Sequence, residues 1–179
     1  MIISISRLTK FFSFGFLLFT SFFSVNVYAD NAIKSVSILV GKHKTLERYN
    51  LHLDSAPDFV NVKINFKIGK EDNQRLTLEV FPIVGVTRWG ETEGITDLKY
   101  LEKTKQSLNS FYTFNKIVGH DQTECIFDGI NIGAIISYYS SKQLWPIQII
   151  FKATLSPSAK EQDIKNNVKE IVLPVDPAD

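Results

Sequence analysis

From Val60 to Ile68 every second residue is apolar (Val60, Val62, Ile64, Phe66, Ile68), and the residues between them are Asn61, Lys63, Asn65 and Lys67. Successive side chains of an extended strand point to opposite faces, so this run separates an apolar face from a polar one only as a β-strand. A helix would scatter the same residues round its circumference. Such a strand needs neighbours for its backbone hydrogen bonds and a second layer against its apolar face.

Similar alternation recurs along the chain. Val36, Ile38 and Val40 predict a first strand, and Tyr49, Leu51 and Leu53 a second. Gly69-Lys70-Glu71-Asp72-Asn73 is a polar turn, and Leu76, Leu78 and Val80 follow it as the returning arm of a hairpin with Val60–Ile68. Pro82 lacks the N–H that a ladder uses, so the chain there is an edge, a bulge or a strand end. A four-strand meander is expected next, over 111–118, 123–127, 130–139 and 144–155. Asp128-Gly129 falls between two of these strands, and a two-residue type I′ turn needs positive φ at both central positions, which this pair supplies well.

Two stretches have helical spacing instead. Thr96 can cap a helix from Asp97 that carries Leu98, Leu101, Leu108 and Tyr112 near one face. Ser158 and Glu161 have the form of a capping box, with Ile164, Val168 and Ile171 behind them and Pro174 and Pro177 ending the run. The predicted class is therefore α+β: an antiparallel sheet of about six to eight strands, with a C-terminal four-strand meander, packed with two helices. This order, a helix before a strand meander and another after it, resembles that of PsbP-like exported domains. The likeness covers element order from about Leu76 to Leu173 and implies a sheet flanked by helices.

Residues 1–29 have the layout of a cleavable secretory signal. Arg7 and Lys10 form a basic start, Phe11 to Val25 an almost unbroken apolar run, and Val27-Tyr28-Ala29 places small residues where a signal peptidase reads. The apolar run is shorter than the roughly 18–20 residues that span a bilayer. No cysteine lies near the cut, so lipid attachment is not expected. Removing the leader takes seven of the 14 phenylalanines, and 18 basic residues then stand against 19 acidic ones, a net charge of −1. No basic stripe points to nucleic acid or an anionic membrane. Residues 30–179 are expected to fold as one domain, with a loose tail from about 174. Cys125 is the one cysteine, so no internal disulfide can form, and stability in an oxidising compartment must rest on burial.

Candidates for chemistry are sparse. Gly119-His120-Asp121-Gln122-Thr123-Glu124-Cys125 gathers an imidazole, carboxylates and a thiol, and a cysteine nucleophile needs such a base. His120, however, falls in a turn, whereas Cys125 shares a strand face with Phe127 and is expected to pack as a small hydrophobe. His43, His52 and His120 lack metal-ligand spacing, and no metal or cofactor is expected. Glu71 with Asp72, and Glu91 with Glu93, are surface-loop acids rather than carboxylates opposed across a cleft. The phosphate-loop, dinucleotide and nucleophile-elbow patterns are not found. No catalytic residue is assigned.

The candidate contact for a partner is the loop 87–94, with Arg88, Trp89, Glu91 and Glu93 between glycines, since Trp and Arg often dominate binding energy. In the competing arrangement Trp89 covers the sheet end and Arg88 pairs with Glu91 or Glu93. Tyr138-Tyr139 with Trp145 is a second candidate. The leading functional reading is a non-enzymatic, protein-binding domain of a Gram-negative periplasm, such as an immunity protein against a secreted toxin or an accessory subunit of an envelope machine. A secreted protein is the alternative destination. A small-ligand or lipid carrier and a hydrolase assembled from distant strands stand beside the leading reading. Intact-mass measurement of the exported protein is expected to give a chain starting at Asp30; retention of Met1–Ala29 would refute cleavage.

Overall fold

In the computed structural model the alternating run forms a strand as predicted and lies inside a four-stranded sheet. The structure describes residues 31–50, 56–69, 73–86, 110–142, 144–157, 161 and 164–176. Strand β1 spans Ala32–Val40, β2 Lys44–Thr45, β3 Tyr49–Asn50, β4 Phe59–Lys67, β5 Gln74–Val86, β6 Tyr112–Val118 and β7 Glu124–Asn131. Helix α1 follows over Ile132–Ser140, then β8 (Leu144–Leu155), a 3-10 turn (Lys165–Asn167) and β9 (Val168–Asp176).

The first sheet has the order β2-β1-β4-β7 and the second β3-β9-β8-β5-β6. All pairings are antiparallel except that of β3 with β9. Val60, Val62, Ile64 and Phe66 of β4 are at most 1% exposed. They share one core with Leu76, Leu78 and Val80 of β5, with Ile149, Phe151, Ala153 and Leu155 of β8, and with Leu173 and Val175 of β9. The inner faces of the two sheets therefore cover each other, as in a β-sandwich.

The expected α+β class with two helices is not what forms. The described residues are mostly strand, with one α-helix and one 3-10 turn. Four local corrections account for the difference. First, β4 and β5 are not a hairpin, because they belong to different sheets. Their apolar faces meet across the core, and facing layers satisfy burial as well as side-by-side pairing does.

Second, Asp128-Gly129 is not a turn. It lies inside β7, where the register with β4 shifts between Val60 and Val62. Gly129 has φ +69°, the left-handed conformation that a glycine bulge needs as much as a type I′ turn does. Asn61 fixes the bulge: its Oδ1 accepts from Gly129 N at 2.9 Å, and its Nδ2 donates to the Gly41 carbonyl at 2.9 Å.

Third, the expected strand over 130–139 is mostly α1, and the expected meander does not form. Ile132, Ile135, Ile136 and Tyr139 recur at the three- and four-residue spacing of a helical face. Asn131 caps this helix, its side chain accepting from Ala134 N at 2.7 Å, while Ile132 N and Gly133 N donate to the Asp58 carbonyl. β6 and β7 lie in different sheets, so the turn between them also crosses layers.

Fourth, the expected C-terminal helix is replaced by β9, along which Ile171, Leu173 and Val175 alternate toward the core. This also removes the element order on which the PsbP-like resemblance rested. Residues 174–176 are strand rather than loose tail, and Arg48 holds Asp176 at 2.8 Å. The helix expected from Asp97 lies outside the described residues as far as 109, as do Leu51, His52 and Leu53, but Tyr112, expected on its face, begins strand β6 instead.

Pro82 fits the predicted strand irregularity. Val80 turns its carbonyl to Phe111 N, so Pro82, two residues on, faces the same side, past the last β5–β6 pair of Val80 with Tyr112. Its missing N–H breaks no bond to β6. Nearby, the β5–β8 register shifts between Ile83 and Val84.

The bulge is testable by urea denaturation. Gly129→Ala is expected to cost about 1–2 kcal/mol through its left-handed backbone, and Asn61→Ala about 1 kcal/mol through its hydrogen bonds. The double variant should lose less than the sum of the two, since both act on one bulge; strict additivity would contradict this geometry.

Candidate functional site

β6 is the edge of the second sheet and β7 the edge of the first, and side chains rather than a backbone ladder join these two edges. Phe114 of β6 meets Phe127 of β7 with ring centroids 6.2 Å apart. Lys116 donates its ammonium to the Ile126 carbonyl and lies 5.2 Å from the Phe127 centroid. The Tyr112 hydroxyl donates to the Asn131 carbonyl at 3.3 Å. Lysine on an edge also hinders its pairing with another chain.

The aromatic row continues onto α1. Phe111 is edge-on to Tyr112 (4.9 Å, 83°) and to Tyr138 (5.4 Å, 71°), and Tyr138 is edge-on to Tyr139 (5.0 Å, 89°). Edge-to-face geometry sets the positive rim of one ring against the negative face of the next, worth about 0.5–1.5 kcal/mol per pair beyond burial. Phe111, Tyr112, Phe114 and Tyr139 also pack against the main core. Tyr138 remains 45% exposed. Lys142, one helical turn on, lies 4.0 Å from its ring centroid and donates to its hydroxyl. Burial pushes the Tyr139 phenol up; the neighbouring Tyr138 adds to this and Lys142 opposes it. Tyr139 therefore keeps its proton at neutral pH.

An exposed ring held by two aromatic neighbours and a cation loses little freedom on binding, which is the property of an anchoring residue at a protein interface. The sequence singles out Tyr138 and Tyr139 but not Phe111 or Phe114, which it places in a strand of the meander, nor Tyr112, which it also places on the face of the helix expected from Asp97. The helical spacing of Ile132, Ile135, Ile136 and Tyr139 was the signal that would have placed the tyrosines on a helix beside Phe111. The Trp145 side chain lies outside the described residues. So do Arg88, Trp89, Glu91 and Glu93, the candidates for partner contact, and Glu71 with Asp72.

His120 and Cys125 take the places expected of them. His120 is exposed in the turn before β7 and lies 2.9 Å from Asp121 Oδ1. Cys125 faces the same side of β7 as Phe127, pairs in register with Ile64, and is half-buried against the core. Burial pushes its thiol up; Lys116 pulls the other way and Asp128 adds to the rise. Such a thiol is deactivated as a nucleophile. His43 is exposed in the turn between β1 and β2. Among the described residues no three of His, Cys, Asp and Glu gather to hold a metal ion, and no helix is long and apolar enough to cross a membrane.

No family model matches the chain, and no curated protein or solved structure matches it significantly.

The raised Cys125 thiol gives a pH signature. Its folded-state pKa lies above the ordinary thiol value, so less thiolate is present at neutral pH and alkylation is slower than that of a free cysteine. The rate is expected to keep climbing past about pH 8.5, where an unperturbed thiol begins to level off. A plateau below that pH, measured by mass spectrometry of the alkylated protein, would contradict the burial argument.

Proposed function

We propose that this is an exported, non-enzymatic domain that docks another protein in the periplasm, and that the aromatic corner of Phe111, Tyr112, Tyr138 and Tyr139 is its contact surface. The observation that carries the reading is Tyr138, exposed yet braced by Phe111, Tyr139 and Lys142. Large rigid aromatics give contact area at small entropic cost, and a few such residues supply most of the energy of an interface.

The export signal, the single cysteine and the near-neutral charge fit a periplasmic partner-binder, such as an immunity protein against a secreted toxin or an accessory subunit of an envelope machine. In β4, β5 and β8 the inner face is filled by side chains with 0–1% exposure, so the reading uses the surface rather than an interior cavity.

The test is recovery of a partner from periplasmic extract by the wild-type protein, Tyr138→Ala and a control, Ile164→Ala, which alters an apolar side chain 59% exposed beside the 3-10 turn before β9. Tyr138→Ala is expected to weaken capture by at least tenfold, the loss of about 1.4 kcal/mol that truncating an anchor readily causes. Ile164→Ala should leave capture unchanged, and thermal melting of each variant checks folding. Recovery of no partner at any salt concentration, or equal capture by Tyr138→Ala, would refute the proposal.

A further inference from the structure

Whatever covers Tyr138 must also cover Lys142. The Lys142 ammonium lies 4.0 Å from the Tyr138 ring centroid and donates to its hydroxyl, so a partner that takes water from the ring takes it from the charge as well. An ammonium stripped of water is costly unless an anion meets it. Lysine has three donors and the Tyr138 hydroxyl engages one, which leaves Lys142 able to donate to a carboxylate.

The far end of the aromatic row repeats the arrangement. From Tyr138 the rings run through Phe111, Tyr112 and Phe114 to Phe127, each centroid within 6.2 Å of the next. Lys116 stands 5.2 Å from the Phe127 centroid, with one donor on the Ile126 carbonyl. Both lysines are exposed. Neither is paired with a carboxylate of the described residues, whereas Lys63 holds Glu124 at 2.6 Å and Arg48 holds Asp176 at 2.8 Å elsewhere on the surface. Asp128 shares the neighbourhood of Cys125 with Lys116 but forms no ion pair with it.

We propose that the partner docks through an acidic segment, with one carboxylate seated on Lys142 beside Tyr138 and a second on Lys116 at the other end of the row. This assignment rests on the docking reading of the corner and names the chemistry of what docks there. Two held cations with rings between them select an acidic segment over a neutral one, because the neutral segment would bury both charges unpaired.

The experiment titrates the isotope-labelled protein with end-blocked hexaglutamate and, separately, with end-blocked hexaglutamine, reading backbone amide shifts by nuclear magnetic resonance. Hexaglutamate should move the signals of Lys116, Tyr138 and Lys142 more than those of Lys34 and Lys67, exposed lysines of the first sheet; hexaglutamine should move none of them. Lys142→Gln and Lys116→Gln should each weaken hexaglutamate binding about two- to fivefold, the effect of losing one solvent-screened ion pair. Lys142→Arg, which keeps a cation on the ring, should restore it. Added salt should weaken binding to the wild type. Shifts at Lys34 and Lys67 as large as those at the corner, unchanged binding by either glutamine variant, or a stronger response to phosphatidylglycerol vesicles would overturn the acidic segment. Capture from extract separates the two readings. If Lys142→Gln captures the partner as well as the wild type while Tyr138→Ala does not, this proposal alone falls; equal capture by Tyr138→Ala removes the docking surface itself.

Discussion

Everything in this molecule depends on two apolar sheet faces covering each other. With its lone cysteine, the chain has no internal disulfide to hold its layers together. What holds them is the inner face of β4 against β5, β8 and β9, with Phe66 and Phe151 fully buried in one core. The other sides of both sheets carry polar pairs, such as Lys63 with Glu124 at 2.6 Å on the first and Thr77 with Asn115 at 2.8 Å on the second. Those outward pairs contribute little, because solvated partners are weakly coupled.

A two-layer fold leaves edges, and its connections must bridge them. The chain crosses between layers after β2, after β3, after β4, after β6 and through α1. Where β6 and β7 run as edges with no further strand among the described residues, Tyr112, Phe114, Lys116 and Phe127 join them through side chains. The same need explains why aromatic residues collect at that corner, with α1 bringing Tyr138 and Tyr139 onto Phe111. A surface that closes the sandwich thereby also presents a rigid exposed ring. The proposed docking role uses a feature that the fold requires for its own closure.

Strand identity was readable where alternation was strict. Val60–Phe66 is a strand with its apolar face inward as predicted, Ile149–Leu155 lies in the strand predicted over 144–155, and the Cys125–Phe127 face and the His120 turn stand where expected. Layer assignment was not readable, since an apolar face looks the same whether its partner lies beside it or across the core. Asp128-Gly129 shows the limit of local chemistry: positive φ was correctly required at Gly129, but a bulge meets that requirement as well as a turn, and the deciding residue, Asn61, is remote in sequence. At the C-terminus, Ile164, Val168 and Ile171 match a helical period, while Ile171, Leu173 and Val175 match a strand; β8 had an open edge and the strand prevailed. The aromatic corner was half visible, because Tyr138 and Tyr139 stood out but their neighbour Phe111 joins them only through the fold.

The most direct test of this account is a set of proton–proton nuclear Overhauser contacts in solution. The account predicts cross-strand backbone contacts between Val62 and Phe127 and between Ile64 and Cys125, together with ring contacts between Phe114 and Phe127 and between Phe111 and Tyr138. Backbone contacts pairing Phe127 with Ile130 across a hairpin, or pairing β4 directly with β5, would contradict the two-layer arrangement and the aromatic corner built upon it.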